Sequence, residues 1–165
     1  MLLNVLAGDA GSPKKGALVT RHTILEQQNA ITFLVAEDNA INQRLISRLL
    51  EKRGHSVVVV RNGLEVLQAM EKRSFDVVLM DGQMPEMDGF EAAKRIREAE
   101  KTTGKHVPII ALTAHAMPGD KERFLDCGMD GYVSKPIKLE ELFTVIASVV
   151  PSIRSGAEAN NLVLR

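Results

Sequence analysis

FDVVLMDGQMPEMDG, residues 75–89, joins an apolar run, Phe75 to Met80, to a carboxylate, Asp81, and a turn through Met84-Pro85. Asp88-Gly89 then leads into a charged helical pattern. A continuous apolar run this short, bounded by turn residues, predicts a strand buried on both faces of a parallel sheet. Asp81 therefore falls where sheet becomes loop, the usual ligand edge of an open α/β sheet. A lone aspartate at a strand end could equally cap a turn or helix. What distinguishes the two is the company Asp81 keeps at the other strand ends.

Working outward, the same alternation recurs. Ile31 to Ala36 reads as a first strand ending in Glu37-Asp38, and Asn39 is placed to cap a helix carrying Leu45, Ile46, Leu49 and Leu50. Gly54 stops that helix, His55 to Val60 forms a second strand, and Asn62-Gly63 opens a helix bearing Leu64, Val66, Leu67 and Met70. After the Asp81 strand a helix is predicted from about Met87 to Glu100, with Phe90, Ala93 and Ile96 facing the core. Val107 to Leu112 is a fourth strand followed by Thr113. A helix over Pro118 to Cys127 and a short strand over Asp130 to Val133 come next, then Ser134-Lys135-Pro136 and a last helix from Leu139 to Val149. Strands alternating with helices at this spacing predict an α/β three-layer sandwich with a parallel sheet. Residues 1–30, rich in glycine and with Lys14-Lys15, read as a linker or the tail of an upstream module, 31–150 as the domain, and 151–165 as a tail.

Composition narrows the function classes. Apolar residues make up 45% of the 165, ordinary for a globular chain. Lys plus Arg and Asp plus Glu both number 21, so no bulk basic field favours direct nucleic-acid or membrane-surface binding. The single Cys127 excludes a disulfide framework within the chain, suits a reducing cytoplasm and reads as a small buried hydrophobe. Met80, Met84 and Met87 read as packing. No apolar run approaches the roughly 20 residues of a membrane span. His22, His55 and His106 lack partners at metal spacing and are expected at the surface.

The strand-end residues carry the chemistry: Glu37 and Asp38 after strand one, Asp81 at strand three, Thr113 at strand four and Lys135 after strand five. In a doubly wound sheet they share one edge. Three carboxylates there repel one another unless a cation intervenes, and oxygen donors suit Mg²⁺ or Mn²⁺. With an ammonium and a hydroxyl beside them they make a receptacle for a phosphoryl group, and a carboxylate can itself be the nucleophile.

FLVAEDNAINQRL (33–45), DVVLMDGQMPEMDG (76–89), PIIALTA (108–114) and GYVSKP (131–136) together resemble the receiver domain of two-component response regulators, over about Ile31 to Val149. The AEDN opening and the DGQMPEMDGFE run are most similar to carboxyl-terminal receivers of hybrid histidine kinases, and LVTRHTI resembles the linker preceding them. The resemblance implies a flavodoxin-like (βα)5 fold with strand order 2-1-3-4-5. It also implies a phosphoacceptor module of a phosphorelay that takes a phosphoryl group from a phosphohistidine onto Asp81 and changes conformation, an enzyme only toward itself. By the same resemblance, Asp38 binds Mg²⁺ directly and Glu37 through water. The Gln83 backbone carbonyl is a further ligand, Thr113 the switch hydroxyl, Lys135 the phosphate-pairing lysine and Tyr132 the aromatic that changes rotamer. The expected partner is a histidine kinase or histidine phosphotransfer domain, docked on Ala40, Ile41 and Arg44; Ile41 lies off the apolar stripe of its helix. The chain is expected in the cytoplasm, alone or as part of a membrane-anchored parent kinase.

One residue departs from the family pattern: the position after the phosphoacceptor is commonly β-branched, and here it is Gly82. Gln83 and His115 flank the site. Two other readings compete. A phosphatase of the haloacid dehalogenase type needs a second aspartate where Gln83 stands. A pseudo-receiver, an interaction module without chemistry, is expected to lack an acid, Thr113 or Lys135, and none is missing. No G-x-G-x-x-G follows the first strand, which sets aside dinucleotide binding.

Overall fold

The structure, a computed structural model, describes residues 30–150; residues 1–29 of the predicted linker, with His22, and the tail after Val150 lie outside them. Strands β1 (Thr32–Ala36), β2 (Ser56–Val60), β3 (Val77–Asp81), β4 (Ile109–Thr113) and β5 (Gly131–Ser134) alternate with helices α1 (Ala40–Glu51), α2 (Gly63–Lys72), α3 (Gly89–Thr103), α4 (Asp120–Asp126) and α5 (Leu139–Val149). All pairings are parallel. The order is β2-β1-β3-β4-β5, the flavodoxin-like arrangement expected from the sequence.

The three central strands alternate between two cores, as the period-two geometry of a strand requires. Leu34, Val78, Met80, Ile109 and Ala111 pack with Val66, Ala92, Ala93, Ile96 and Phe124 on the face covered by α2, α3 and α4. Phe33, Val35, Val77, Leu79, Ile110 and Leu112 pack with Ile46, Leu50, Leu142 and Ile146 on the face covered by α1 and α5. Burial of such aliphatic side chains contributes roughly 1.5–3 kcal/mol each, which holds the strand ends in register. That register sets Ala36 beside Met80, Asp81 beside Leu112 and Thr113 beside Ser134. Cys127 is buried as expected.

Helix starts follow their caps. Asn39 accepts from Ile41 N and Asn42 N, Asn62 from Glu65 N, and Asp88 from Glu91 N. The Asp88 cap starts α3 at Gly89 rather than Met87, because the side chain bonds the third residue onward. Leu45 departs from the expected apolar face and is exposed, as is Leu64 on α2. The buried line of α1 is Ile46 and Leu50, four residues apart, and Leu45 falls beside it. Arg97 lies inward among the charges of α3. It donates to Gly128 O and Val107 O and pairs with Glu100 and Asp130, tying α3 to the start of β4 and β5.

Of the two described histidines expected at the surface, His106 is exposed and His55 is not. His106 sits 2.7 Å from Asp130 Oδ1. His55 is half-buried, edge-on to Phe33 and beside Phe143, and its Nδ1 accepts the Ile31 N–H at 3.3 Å. Arg53 covers the Phe143 ring at 4.1 Å. Burial, reinforced by the Arg53 charge, lowers the His55 pKa from 6.5. A group that binds its proton less well folded than unfolded contributes fully above 6.5, and that contribution is lost as pH falls below this value through the folded pKa. Urea unfolding at stepwise pH should therefore show wild type losing more stability below pH 6.5 than His55→Phe does. Parallel curves for the two proteins would remove His55 as the cause.

Candidate functional site

Glu37 follows directly on β1, Asp81 ends β3, Thr113 ends β4 and Lys135 follows β5, so parallel register brings four loops to one edge. They line a cleft of about 1070 Å³ together with Asp38, Gln83, His115, Phe90 and Arg123. The cleft opens where β1 and β3 adjoin and their connections diverge, the point at which doubly wound sheets bind ligands.

The Lys135 ammonium reaches across the sheet edge to Asp81 Oδ2 and Glu37 Oε2, each at 2.7 Å. The Lys135–Pro136 peptide is cis. Asp81 Oδ1 accepts the Gln83 N–H at 3.0 Å. Glu37 is 1% exposed; its Oε1 accepts the Asn39 N–H at 3.1 Å. Its Oε2 is met by the Lys135 ammonium as an ion pair and makes no other polar contact. Burial alone would lower the Lys135 pKa, but hydrogen bonding to Asp81, contact with Glu37 and the negative charge of both carboxylates outweigh it, and the pKa is raised. The ammonium stays charged.

Two carboxylates with one ammonium leave a net negative charge, and exposed Asp38 adds to it. Oxygens of Glu37, Asp38 and Asp81 lie within 4.8 Å of one another, a cluster that could hold an ion. Hard oxygen donors and a buried oxygen lacking a hydrogen bond fit Mg²⁺ or Mn²⁺.

Thr113 is at this edge, but its hydroxyl donates to His115 O at 2.7 Å and accepts the His115 N–H at 3.2 Å. It is turned onto its own loop. Tyr132 is half-buried on β5 with its ring beside Phe124. Ala40, Ile41 and Arg44 are all exposed on the first turns of α1, Ile41 at 76%. Ala40 follows directly on Asn39, which lines the cleft.

Sequence reasoning treated Phe90 only as core and passed over Arg123. Both line the cleft, the Arg123 guanidinium lying 4.1 Å from the Phe90 ring centre. The signal was Gly89, directly before Phe90: a Cβ there would run into Asp81 O, so the first turn of α3 is seated against the Asp81 turn. Phe90 follows it there.

Residues 33–147 match the response regulator receiver domain family. Among curated proteins, the chain is 42% identical over 149 residues to hybrid signal transduction histidine kinase I of Dictyostelium discoideum, covering 87% of this chain and 8% of that one. It is 40% identical to the sensor histidine kinase GacS of Pseudomonas protegens, covering 84% and 15%. The chain thus spans a small fraction of these relatives. Among solved structures, the receiver domain of sensor histidine kinase PA1611 from Pseudomonas aeruginosa, with magnesium coordinated in its active-site cleft, superposes with a TM-score of 0.67 at 38% identity, covering 74% of this chain and 98% of that one. The receiver domain of Ssk1, solved with the histidine phosphotransfer protein Ypd1 of Saccharomyces cerevisiae, gives 0.69 at 34%, covering 73% and 89%.

Proposed function

The chain belongs to the response regulator receiver domain family of two-component signalling, and from that premise we propose that Asp81 accepts a phosphoryl group from a phosphohistidine. The observation that carries this reading is the Lys135 ammonium held 2.7 Å from Asp81 at the floor of an open cleft. Asp81 ends a fully buried strand, so its carboxylate is oriented by the sheet rather than by a loop.

In this mechanism an Asp81 carboxylate oxygen attacks phosphorus in line. The O–P bond forms, the P–N bond to the donor imidazole breaks, and the electron pair leaves with that nitrogen. Lys135 passes from the carboxylate to a phosphoryl oxygen, keeping the new charge paired. Thr113 turns its hydroxyl from His115 O toward another phosphoryl oxygen, which frees the loop after β4 to move, and Tyr132 follows as the switch residue. Asp38, Asp81 and the Gln83 backbone carbonyl, with Glu37 through water, would hold a divalent cation, Mg²⁺ or in its place Mn²⁺, which would neutralise the gathered negative charge. Beyond transfer to and hydrolysis from its own aspartate the domain catalyses nothing.

Ala40, Ile41 and Arg44 form the docking surface for the donor, a histidine phosphotransfer domain or the histidine-bearing domain of a kinase. The domain works in the cytoplasm, alone or within a larger kinase. No helix among the described residues is long and apolar enough to cross a membrane. Balanced charge gives no reason to expect nucleic-acid contact by this domain.

Intact mass spectrometry tests the reading. Acetyl phosphate with Mg²⁺ should add one phosphoryl group, and chelation should prevent it. Ile41→Glu should keep that adduct but lose transfer from a phosphorylated histidine phosphotransfer protein. Equal loss with both donors would remove the docking surface. An unmodified wild type would favour an interaction module without chemistry.

A further inference from the structure

Gly82 leaves a space beside Asp81 that another side chain occupies. A Cβ placed on Gly82 would lie 3.2 and 3.4 Å from two ring carbons of Phe90. The Phe90 ring stacks on Phe124, centroids 5.5 Å apart and planes 2° from parallel. Phe124 in turn stacks on Tyr132 at 5.9 Å and 25°. Three rings thus form a continuous column from the turn after Asp81 to β5, and Arg123 lies against Phe90 at its upper end. Offset aromatic contacts of this kind are favourable beyond the burial they bring, so a shift of one ring is felt by the next.

The column is tied to the phosphoacceptor turn by backbone as well. Gly89 N donates to Gly82 O at 3.1 Å, and the absence of a Cβ on Gly89 lets α3 sit directly on Asp81 O. A displacement of the 81–83 turn therefore carries Phe90, the second residue of α3, with it. At the other end, buried Phe124 separates the site cleft from a groove of about 360 Å³ between α4 and α5. That groove is lined by Lys121, Leu125, Tyr132 and Val145.

We propose that Phe90 and Phe124 carry the phosphorylation state of Asp81 to Tyr132 and the groove between α4 and α5, with Gly82 as the contact that admits Phe90 to the site. This rests on Asp81 being the phosphoacceptor. It adds a second path to Tyr132 besides Thr113, through a contact that a side chain at position 82 would crowd. Phe90 is here a positioning residue: it touches the turn, not the reacting atoms.

The chain contains one tyrosine and no tryptophan, so its intrinsic emission reports Tyr132 alone. Emission and intact mass are followed together on acetyl phosphate and Mg²⁺ addition. Wild type should change emission in proportion to adduct. Phe90→Leu, which keeps an apolar side chain but removes the ring, should take up the adduct with the emission change cut to roughly half or less. Gly82→Ala, whose Cβ would crowd the ring, should reduce the emission change to a smaller extent, and should add nothing in the Phe90→Leu background, the non-additivity expected of two residues in contact. Adduct with a wild-type-sized emission change in both single variants overturns the column. So does adduct without any emission change in wild type. No adduct in wild type overturns the phosphoacceptor reading and the column with it, and the mass record distinguishes that failure from the others.

Discussion

Asp81→Asn is expected to remain unmodified under conditions in which wild type takes up one phosphoryl group from acetyl phosphate, and to remain folded. The amide is close in shape to the carboxylate and can still accept the Gln83 N–H through its oxygen. It carries no negative charge and is a far poorer nucleophile toward phosphorus. Its effect on stability should be small or favourable, by about 1 kcal/mol, because the site holds two carboxylates, Glu37 and Asp81, against one ammonium. Removing one charge leaves Glu37 and Lys135 as a balanced pair. The checks are intact mass for the adduct and urea unfolding for stability. An adduct of wild-type size in the variant would move the phosphoacceptor elsewhere in the chain.

Lys135→Met should behave in the opposite way, losing stability before any chemistry is asked of it. Lys135 is 19% exposed and is the one cation within 4 Å of the Glu37 and Asp81 side chains among the described residues. The methionine keeps the length of the stem but leaves buried Glu37 facing Asp81 with no cation between them. Stranding one partner of a buried pair costs roughly 3–5 kcal/mol; with Asp81 partly solvated, a loss of about 2–3 kcal/mol is expected here. In chelator the urea midpoint should fall accordingly. Adding Mg²⁺ should recover part of the loss, since the same carboxylates fit a divalent cation. Acetyl phosphate uptake should fall as well, the phosphoryl oxygens having lost their ammonium. A variant as stable as wild type in chelator would show that the 2.7 Å contacts contribute nothing to folding.

The contrast between the two variants separates roles that the sequence presents together. Glu37, Asp38, Asp81, Thr113 and Lys135 could be gathered from sequence because each directly ends or follows an apolar run. In a parallel sheet every such end lies on the same edge. That argument needs only periodicity and handedness. It cannot say which oxygen meets which proton, and so the Thr113 hydroxyl, expected to face the site, is found bonded to His115 O instead. The same limit applied to helix faces: Leu45 and Leu64 fit the apolar pattern yet lie outside the buried lines of α1 and α2.

By itself, then, the sequence determined the alternation of strands and helices, the parallel sheet and the edge at which five polar residues collect. Buried strands and caps are local signals, written within a few residues of where they act. Tertiary structure alone decided that Lys135 bridges Glu37 and Asp81 across the sheet, that His55 and Arg97 are drawn inward, and that Phe90 fills the space beside Gly82. Each of these depends on side chains that packing brings together from distant parts of the chain, at separations no sequence pattern records.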